Sequence, residues 1–418
     1  MKVLFMVESV TMAHPTRSFE LATHLVQKGH QVVFAATESP LFLKSQDHGM
    51  TWVDLQTGIS SKEFLQSLEK ASLPYTVHGL DQALTEDLMI LRQYQPDIII
   101  GDMRLSLQVS ARLSKTKWIN LSNLVWNPET DLGYLMPEMP ASRMLGSGIQ
   151  HLIPRKILEK IIDANVGVFN QFRTKYGLSK LLNLKQAYCD GDRNFYLDLP
   201  SSSVSMKQNE KHLVIGPVLF SSSMEMPEWI SELPESQKKA FVSMGSSGNQ
   251  KTLEKIVHTL LAEGYIVILI GGSVKWTSNR LFMAPFAPVK ELMQMCDLVV
   301  CNGGTPMTYL ALSLGKAVLG IPSNMDQHLT MKHLSALPLV QSLRSEDLSY
   351  KNISNTVRQL HLIHQDQNVK NEMMDQFSRW NSMKKFVTEV ESYDKLVDKE
   401  QGSSQVETIK NAGTISID

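Results

Sequence analysis

The chain has 418 residues, more than one compact core usually holds, so two domains are expected. Hydrophobic residues make up 43% and charged residues 20%, and the net charge of −1 argues against binding to nucleic acid or an anionic membrane surface. Three cysteines are too few for a disulfide framework, and their spacing matches no metal motif, so no metal is expected. Without a signal peptide or an uncharged apolar span of about 20 residues, we expect a cytoplasmic protein.

The N-terminal half alternates buried strands with an amphipathic helix. The apolar run at residues 2–9 predicts a first strand, residues 17–30 a helix that stops at Gly29, and residues 31–37 a second strand. This order predicts a right-handed parallel crossover. Further buried strands are predicted at residues 96–102 and 117–122.

The same alternation restarts in the second half. Strands are predicted at residues 239–248, 266–272, 297–304 and 317–322, and helices at residues 252–265, 289–296 and 308–315. The chain is therefore predicted to be an α/β protein with two units of similar size. We place the domains at residues 1–208 and 209–375, followed by a helix at residues 376–398 and a polar tail at residues 399–418.

Two glycines mark a candidate anion site in the second unit. Gly303 and Gly304 stand between a predicted strand and a predicted helix. Helix N-termini present unpaired N–H groups and a partial positive charge, and glycine lets the backbone approach an oxygen closely. With Thr305, this turn can hold a phosphate without a lysine. A tight strand-to-helix turn with no ligand has the same sequence.

A longer pattern surrounds these glycines. Residues 284–327 resemble, along their whole length, the donor-binding signature of the family 1 glycosyltransferases, which use nucleotide sugars and have the GT-B fold. Residues 241–247 resemble the first strand and loop of the family's donor domain, and residues 169–181 and 214–220 resemble its mid-chain and linker segments. The resemblance extends over residues 2–390. It implies two Rossmann-like domains that face a central cleft, with the C-terminal helix returning to the N-terminal domain.

The resemblance also implies a set of donor-binding residues. Asp326 and Gln327 match the pair that binds the sugar, since a carboxylate accepts hydrogen bonds and an amide both donates and accepts them. A polar turn after the preceding strand is the alternative for this pair. The full implied set is Gly245, Ser246, Asn302, Gly303, Gly304, Thr305, Asp326 and Gln327. The partners expected are a UDP- or dTDP-linked sugar and a small-molecule acceptor, with no other cofactor.

Four positions depart from the family pattern. Asn302 replaces the usual His that donates to a donor phosphate, and Met307 replaces a hydroxyl residue. Leu310 stands where an acid usually holds the ribose hydroxyls. Arg17 stands where Pro is usual; a solvated surface arginine is expected there, and the alternative is a charge supplied to the acceptor or the phosphate. A chain with these changes has either an altered donor site or a fold that has lost its reaction.

The resemblance implies a catalytic base in the N-terminal domain. Family members carry a His eight residues before the Ala of a Leu-Ala pair, and His14 stands eight residues before Ala22. Neutral imidazole suits removal of a proton from an acceptor hydroxyl. Asp102 matches the family's partner for this His, which we expect to lie in a loop after the first strand. The alternatives are a surface His14 and a helix-capping Asp102.

The acceptor is expected to lie against N-terminal loops at residues 56–90 and 125–160. Trp126, Met136 and Met139 in these segments predict a lipophilic or aromatic acceptor, because methionine adapts to irregular apolar shapes. The same residues could pack a helical lid without touching a ligand. Three functions remain open at this point: an inverting glycosyltransferase, a GT-B nucleotide-sugar epimerase, and a non-catalytic relative that binds a nucleotide or a partner.

Overall fold

The structure is a computed structural model, and it describes residues 1–37, 49–69, 72–138, 153–200, 206, 208–220, 224–245, 249 and 252–394. Three predictions made from the sequence lie outside the described residues: the acceptor residue Met139, the donor residue Ser246, and the polar tail at residues 399–418. None of the described helices is long and apolar enough to cross a membrane.

The described chain contains two parallel β-sheets with helices between their strands, which confirms the predicted α/β class with two Rossmann-like units. The N-terminal sheet has seven strands, in the order β3-β2-β1-β4-β5-β6-β7. Its strands are β1 (Lys2–Val7), β2 (Gln31–Ala36), β3 (Thr51–Asp54), β4 (Ile98–Asp102), β5 (Lys117–Ser122), β6 (Arg193–Tyr196) and β7 (His212–Val214). The helices among them are α1 (Ala13–Gln27), α2 (Ser61–Glu69), α3 (Val77–Tyr94), α4 (Leu107–Ser114), α5 (Arg155–Asp163), α6 (Val166–Lys175) and α7 (Leu184–Tyr188).

The second sheet has six parallel strands in the order β10-β9-β8-β11-β12-β13. The strands are β8 (Lys239–Ser243), β9 (Ile266–Ile270), β10 (Leu281–Ala284), β11 (Leu298–Cys301), β12 (Ala317–Gly320) and β13 (Val340–Ser342). The helices are α8 (Leu253–Ala262), α9 (Val289–Gln294), α10 (Thr305–Ser313), α11 (Met325–Leu334), α12 (Tyr350–His364) and α13 (Gln367–Arg379), and residues 382–394 form a last helix, α14.

Burial on both faces explains why the central strands read as continuous apolar runs. Every residue of β4, β8, β9 and β11 is buried. In each sheet the chain order reverses beside the first strand, β1 or β8, which is where ligands bind in open α/β sheets. A ligand site is therefore expected at the carboxyl ends of the strands beside these two points, in the loops that follow them.

The boundaries between the units differ from those predicted. β7 follows the predicted joint at residues 208 and 209, yet it pairs with β6 and so belongs to the N-terminal sheet. A three-residue strand carries too little periodicity to be recognised. The predicted single helix at residues 376–398 is broken at Trp380, so the change of domain falls there, after α13.

The last helix returns to the N-terminal domain, as predicted. Phe386, Val387 and Val390 of α14 are buried in the same core as β1 and β5. Phe386 meets Phe195 edge-to-face with ring centroids 6.1 Å apart. Lys385 donates to the carbonyl of Val214 at 2.6 Å. The two ends of the described chain therefore lie in one domain.

Candidate functional site

The predicted base lies on a helix rather than in a loop. α1 begins at Ala13, four residues earlier than predicted, so His14 is in its first turn. Pro15 is compatible with this position, because N–H groups in the first turn of a helix have no intrahelical partner. The helix continues through Phe19 and Leu25, which are buried against the N-terminal sheet. This packing fixes the His14 backbone at the cleft.

His14 and its predicted partner meet. Asp102 is the last residue of β4, which pairs with β1, the strand that precedes α1. The carboxyl ends of neighbouring parallel strands lie at one edge of a sheet, and the His14 Nδ1 atom is 2.8 Å from Asp102 Oδ1. Asp102 is fully buried, while the His14 side chain is 16% exposed. The geometry allows Asp102 to orient the ring and leave Nε2 for a substrate proton.

Arg17 contradicts the expectation of a solvated side chain. Its Nε donates to Asp102 Oδ2 at 2.6 Å, and its Nη2 donates to Asp102 Oδ1 at 2.7 Å. Ser18 donates to Oδ2 at 3.0 Å. Burial by itself would raise the pKa of Asp102, but the charges and hydrogen bonds of Arg17 and His14 outweigh it and hold the pKa well below its usual range. Asp102 is therefore a permanent carboxylate.

The glycine turn of the second domain has the predicted strand-to-helix geometry. Gly303 has φ +76°, and a Cβ there would lie 2.6 Å from Met331 Cγ, so glycine is required for two reasons. Asn302 lies beneath the turn, with its Oδ1 accepting from the Gly304 N–H at 3.0 Å. The Gly303 N–H points to the Cys301 sulfur at 3.4 Å. Thr305 then begins α10.

The N-terminus of α10 faces the N-terminal domain. Thr305, Pro306 and Tyr309 line a small cavity together with Thr16 and Arg17 of α1. The helix that carries the predicted base and the helix that follows the glycine turn thus face each other across this cavity. Leu310, where the family has an acid, is buried in the core of the second domain.

The predicted sugar-binding pair begins another helix at the cleft. Asn324 caps α11, its Oδ1 accepting from the Gln327 N–H at 3.0 Å. Asp326 lies in the first turn, where burial raises its pKa, although a hydrogen bond from Trp126 acts in the opposite direction. Gln327 is buried, and its Oε1 accepts from the Ser323 N–H at 3.0 Å.

The residues predicted to bind the acceptor contact the second domain directly. Trp126 Nε1 donates to Asp326 Oδ1 at 2.8 Å, although the two residues belong to different domains. The Trp126 ring lies against Tyr188, with centroids 4.7 Å apart. Met136 is buried, and its carbonyl accepts from Arg344 at 3.2 Å. The segment predicted to bind the acceptor therefore packs against the second domain.

The sequence did not reveal a second set of buried polar residues at the cleft. Asp198, two residues after β6, accepts from Tyr309 Oη at 2.7 Å and from Asn123 Nδ2 at 3.2 Å. Asn123 Oδ1 in turn accepts from Arg17 Nη1 at 2.8 Å. Their location at strand ends was the available signal, but no short motif marks them.

Comparison with known proteins supports the class that the fold and cleft define. No family model matches the chain. The chain is 31% identical over 369 residues to a PGL/p-HBAD biosynthesis glycosyltransferase of Mycobacterium tuberculosis, covering 86% of this chain and 84% of the relative. It is 30% identical, also over 369 residues, to a PGL/p-HBAD biosynthesis rhamnosyltransferase of Mycobacterium bovis, covering 86% and 80%. A shorter match, 30% over 266 residues, is to a Mycobacterium bovis protein described as an inactive glycosyltransferase of the same biosynthesis.

Solved structures agree on the fold. Spinosyn forosaminyltransferase SpnP has a TM-score of 0.67 at 19% identity, covering 94% of this chain and 99% of that one. Spinosyn rhamnosyltransferase SpnG complexed with thymidine diphosphate has a TM-score of 0.63 at 16% identity, covering 94% and 100%. The fold is that of the GT-B glycosyltransferases. The chain belongs to the glycosyltransferase family of its mycobacterial relatives, which confirms the resemblance to family 1.

Proposed function

We propose that this glycosyltransferase moves a sugar from a UDP- or dTDP-linked donor to a hydroxyl of a lipophilic or aromatic small molecule, with inversion at the anomeric carbon. One observation carries the proposal: the His14–Asp102 pair, with 2.8 Å between Nδ1 and Oδ1, lies beside Thr16 and Arg17, which face the α10 N-terminus across a small cavity. A proton acceptor on one side and an anion site on the other suit a reaction in which the acceptor hydroxyl displaces the nucleoside diphosphate in one step.

In the proposed reaction, the acceptor oxygen forms a bond to the anomeric carbon as the bond to the nucleoside diphosphate breaks. His14 Nε2 takes the hydroxyl proton, and Asp102 stabilises the resulting imidazolium. The N–H groups at the start of α10 meet the charge that develops on the departing diphosphate. No metal is part of the proposal.

The donor and acceptor classes have separate support. SpnG is complexed with thymidine diphosphate, which favours a thymidine nucleotide for a chain of the same fold. Asp326 and the residues around the glycine turn are proposed to bind the donor. Trp126, whose ring lies against Tyr188, and the buried Met136 provide apolar and aromatic surface suited to the acceptor.

The test is an assay of nucleoside diphosphate release from UDP- and dTDP-sugars, with and without a panel of phenols and lipophilic alcohols. We expect release that depends on the acceptor, and a product whose anomeric configuration, read by NMR coupling constants, is opposite to that of the donor. Sugar isomerisation without an acceptor would identify an epimerase instead. Neither turnover nor product with any pair would favour a non-catalytic protein, like the relative described as inactive.

A further inference from the structure

Arg17 is engaged on three sides at the centre of the cleft. Its guanidinium donates to both oxygens of Asp102, at 2.6 and 2.7 Å, and its Nη1 donates to Asn123 Oδ1 at 2.8 Å. Its Nη2 lies 3.2 Å from His14 Nδ1. The residue is 7% exposed. Asn123 is itself tied to Asp198, so the guanidinium cannot swing away without breaking several buried hydrogen bonds.

The contacts at His14 Nδ1 distinguish the two neutral forms of the ring. Arg17 offers only donors and Asp102 only acceptors, so Nδ1 can satisfy one of them. The contact to Asp102 is shorter, 2.8 against 3.2 Å, and it requires a proton on Nδ1. Nε2 then carries the free electron pair, which is the form that a base requires.

The charges around His14 oppose each other. Asp102 on β4 and Asp326 on α11 both favour a protonated ring, and Arg17 on α1 disfavours it. The bidentate contact of Arg17 with Asp102 also neutralises the charge of this carboxylate, the nearer of the two to His14. Without Arg17, a buried and unpaired Asp102 would hold the imidazole proton strongly.

We propose that Arg17 is a positioning residue that fixes Asp102 and, with its own charge next to Nδ1, opposes protonation of the His14 ring, so that Nε2 is available to accept a proton. The inference rests on the proposed function, in which His14 is the base. It assigns to position 17, which departs from the family pattern, a role in setting the pH range of catalysis.

The test uses the full chain with three Arg17 variants. Arg17→Met removes the charge, and Arg17→Gln removes the charge but keeps an N–H donor. Arg17→Lys keeps the charge but cannot make the bidentate contact with Asp102. Arg173→Met is the matched control, because Arg173 is also a buried arginine paired with an aspartate, Asp190, outside the cleft. The readouts are histidine NMR titration and the pH dependence of kcat/KM.

We expect Arg17→Met and Arg17→Gln to move both the NMR titration of the His14 ring and the acid limb of kcat/KM to higher pH, because the buried Asp102 then lacks the charge that neutralises it. Arg17→Lys should leave that limb near its wild-type position and lower kcat about tenfold or more through lost orientation. If Arg17→Met does not fold, the titration and the pH profile of Arg17→Gln test the same expectation. An NMR titration of His14 that is unchanged or moves to lower pH in a folded, uncharged variant, or an equal shift in Arg173→Met, would overturn the inference.

His14→Gln separates this inference from the proposed function. It assigns the NMR signal of His14 by its disappearance from the spectrum. If His14→Gln retains full transfer activity, His14 is not the base and the proposed mechanism fails, whatever the titration gives. If His14→Gln is inactive but the titration of His14 does not respond to Arg17, only the role of Arg17 is lost.

Discussion

At the scale of single residues, the environment of Asp102 determines what His14 can do. A buried carboxylate is tolerated only where charges and hydrogen bonds compensate for lost water, and Arg17, Ser18 and His14 supply them here. The carboxylate remains ionised at every pH at which the protein would work. The His14 ring is therefore the group at this pair that exchanges a proton.

His14→Ala should lower the turnover number by about 10²–10⁴-fold, the usual contribution of a general base. Donor affinity should change little, because the proposed contact of His14 is with the acceptor. Steady-state kinetics and titration of nucleoside diphosphate binding would measure the two effects. His24→Ala is the control: His24 is on the same helix, its ring nitrogen bonds the carbonyl of Glu20, and its replacement should leave both values near wild type. Equal activity in the two variants would rule out His14 as the base.

Glu8 gives a prediction about stability rather than rate. Burial raises its pKa to about 7, although Arg104 and the N–H of Ile59 act against the shift. Below pH 4.5 the carboxyl is protonated in both folded and unfolded chains. Between pH 4.5 and 7 it ionises only in the unfolded chain, so this group makes folding progressively less favourable as pH rises, by on the order of 3 kcal/mol in total.

Glu8→Gln should therefore become more stable relative to wild type as the pH rises from 5 to 8. Urea unfolding at the two pH values measures the change in free energy of unfolding for each protein. Glu254→Gln, on the exposed face of α8, is the control and should show a constant difference. A Glu8→Gln difference that is also constant with pH would contradict the raised pKa.

At the scale of elements, the start of α10 is where a substitution can separate binding from folding. Gly303 cannot serve, because its φ of +76° and the nearness of Met331 mean that a side chain there would destabilise the domain. Gly304 has φ −71°, and the nearest atom to a Cβ there is Asn302 Oδ1 at 3.2 Å. An alanine fits the backbone with a small adjustment of Asn302.

We expect Gly304→Ala to weaken binding of thymidine or uridine diphosphate by about tenfold, because the methyl group narrows the approach of phosphate to the helix N-terminus. Calorimetric titration measures the dissociation constant, and thermal unfolding confirms the fold. Gly167→Ala on α6, where a Cβ meets no atom within 4 Å, is the matched control. If a stable Gly304→Ala variant binds the nucleoside diphosphate with wild-type affinity, the phosphate does not bind at the start of α10.

The elements also mark the limit of what sequence alone predicts. Central strands such as β4 and β9 were recognisable because burial on both faces demands unbroken apolar runs. Short strands at or near the sheet edges, such as β3, β7 and β13, lack that pattern and were missed. Tertiary packing, not the local signal, sets where α1 begins.

The site follows the same rule. The family pattern predicted which residues pair, as the contact between His14 and Asp102 illustrates. It did not predict the buried charge of Arg17, because arginine side chains are mostly exposed in proteins. Asp102 is 85 residues away in the sequence, and only the folded chain brings it to Arg17. The roles of the donor-side residues stay predictions.

At the scale of the whole molecule, a buried hydrogen bond joins the two domains at the cleft. Tyr309 Oη on α10 donates to Asp198 Oδ1 at 2.7 Å, and both residues are almost fully buried. The pKa of Tyr309 is well above its ordinary value, first because of burial and then because of Asp198. The phenol is therefore a permanent donor to this carboxylate.

Tyr309→Phe removes this hydrogen bond without changing the packing volume. A hydrogen bond to a charged group contributes about 1.5–3 kcal/mol, so the free energy of unfolding or of domain closure should fall by that order. Small-angle scattering with and without nucleoside diphosphate would report the domain arrangement, and urea unfolding the stability. Tyr265→Phe is the comparison, because Tyr265 is a buried tyrosine of the same domain that directly precedes β9, at the amino end of the sheet. Identical behaviour of the two variants would mean that the domains do not depend on this bond.

The return of α14 to the first sheet has a consequence for how the protein is made. Its apolar residues Phe386, Val387 and Val390 complete the core around β1 and β5, yet they are translated after the whole second domain. At roughly 5–20 residues per second, about 175 residues separate β7 from these side chains, a delay of roughly 10–35 s. During that time the nascent N-terminal domain presents an uncovered apolar face beside the ribosome. Synthesis thus imposes a waiting period before the core of the first domain can be completed.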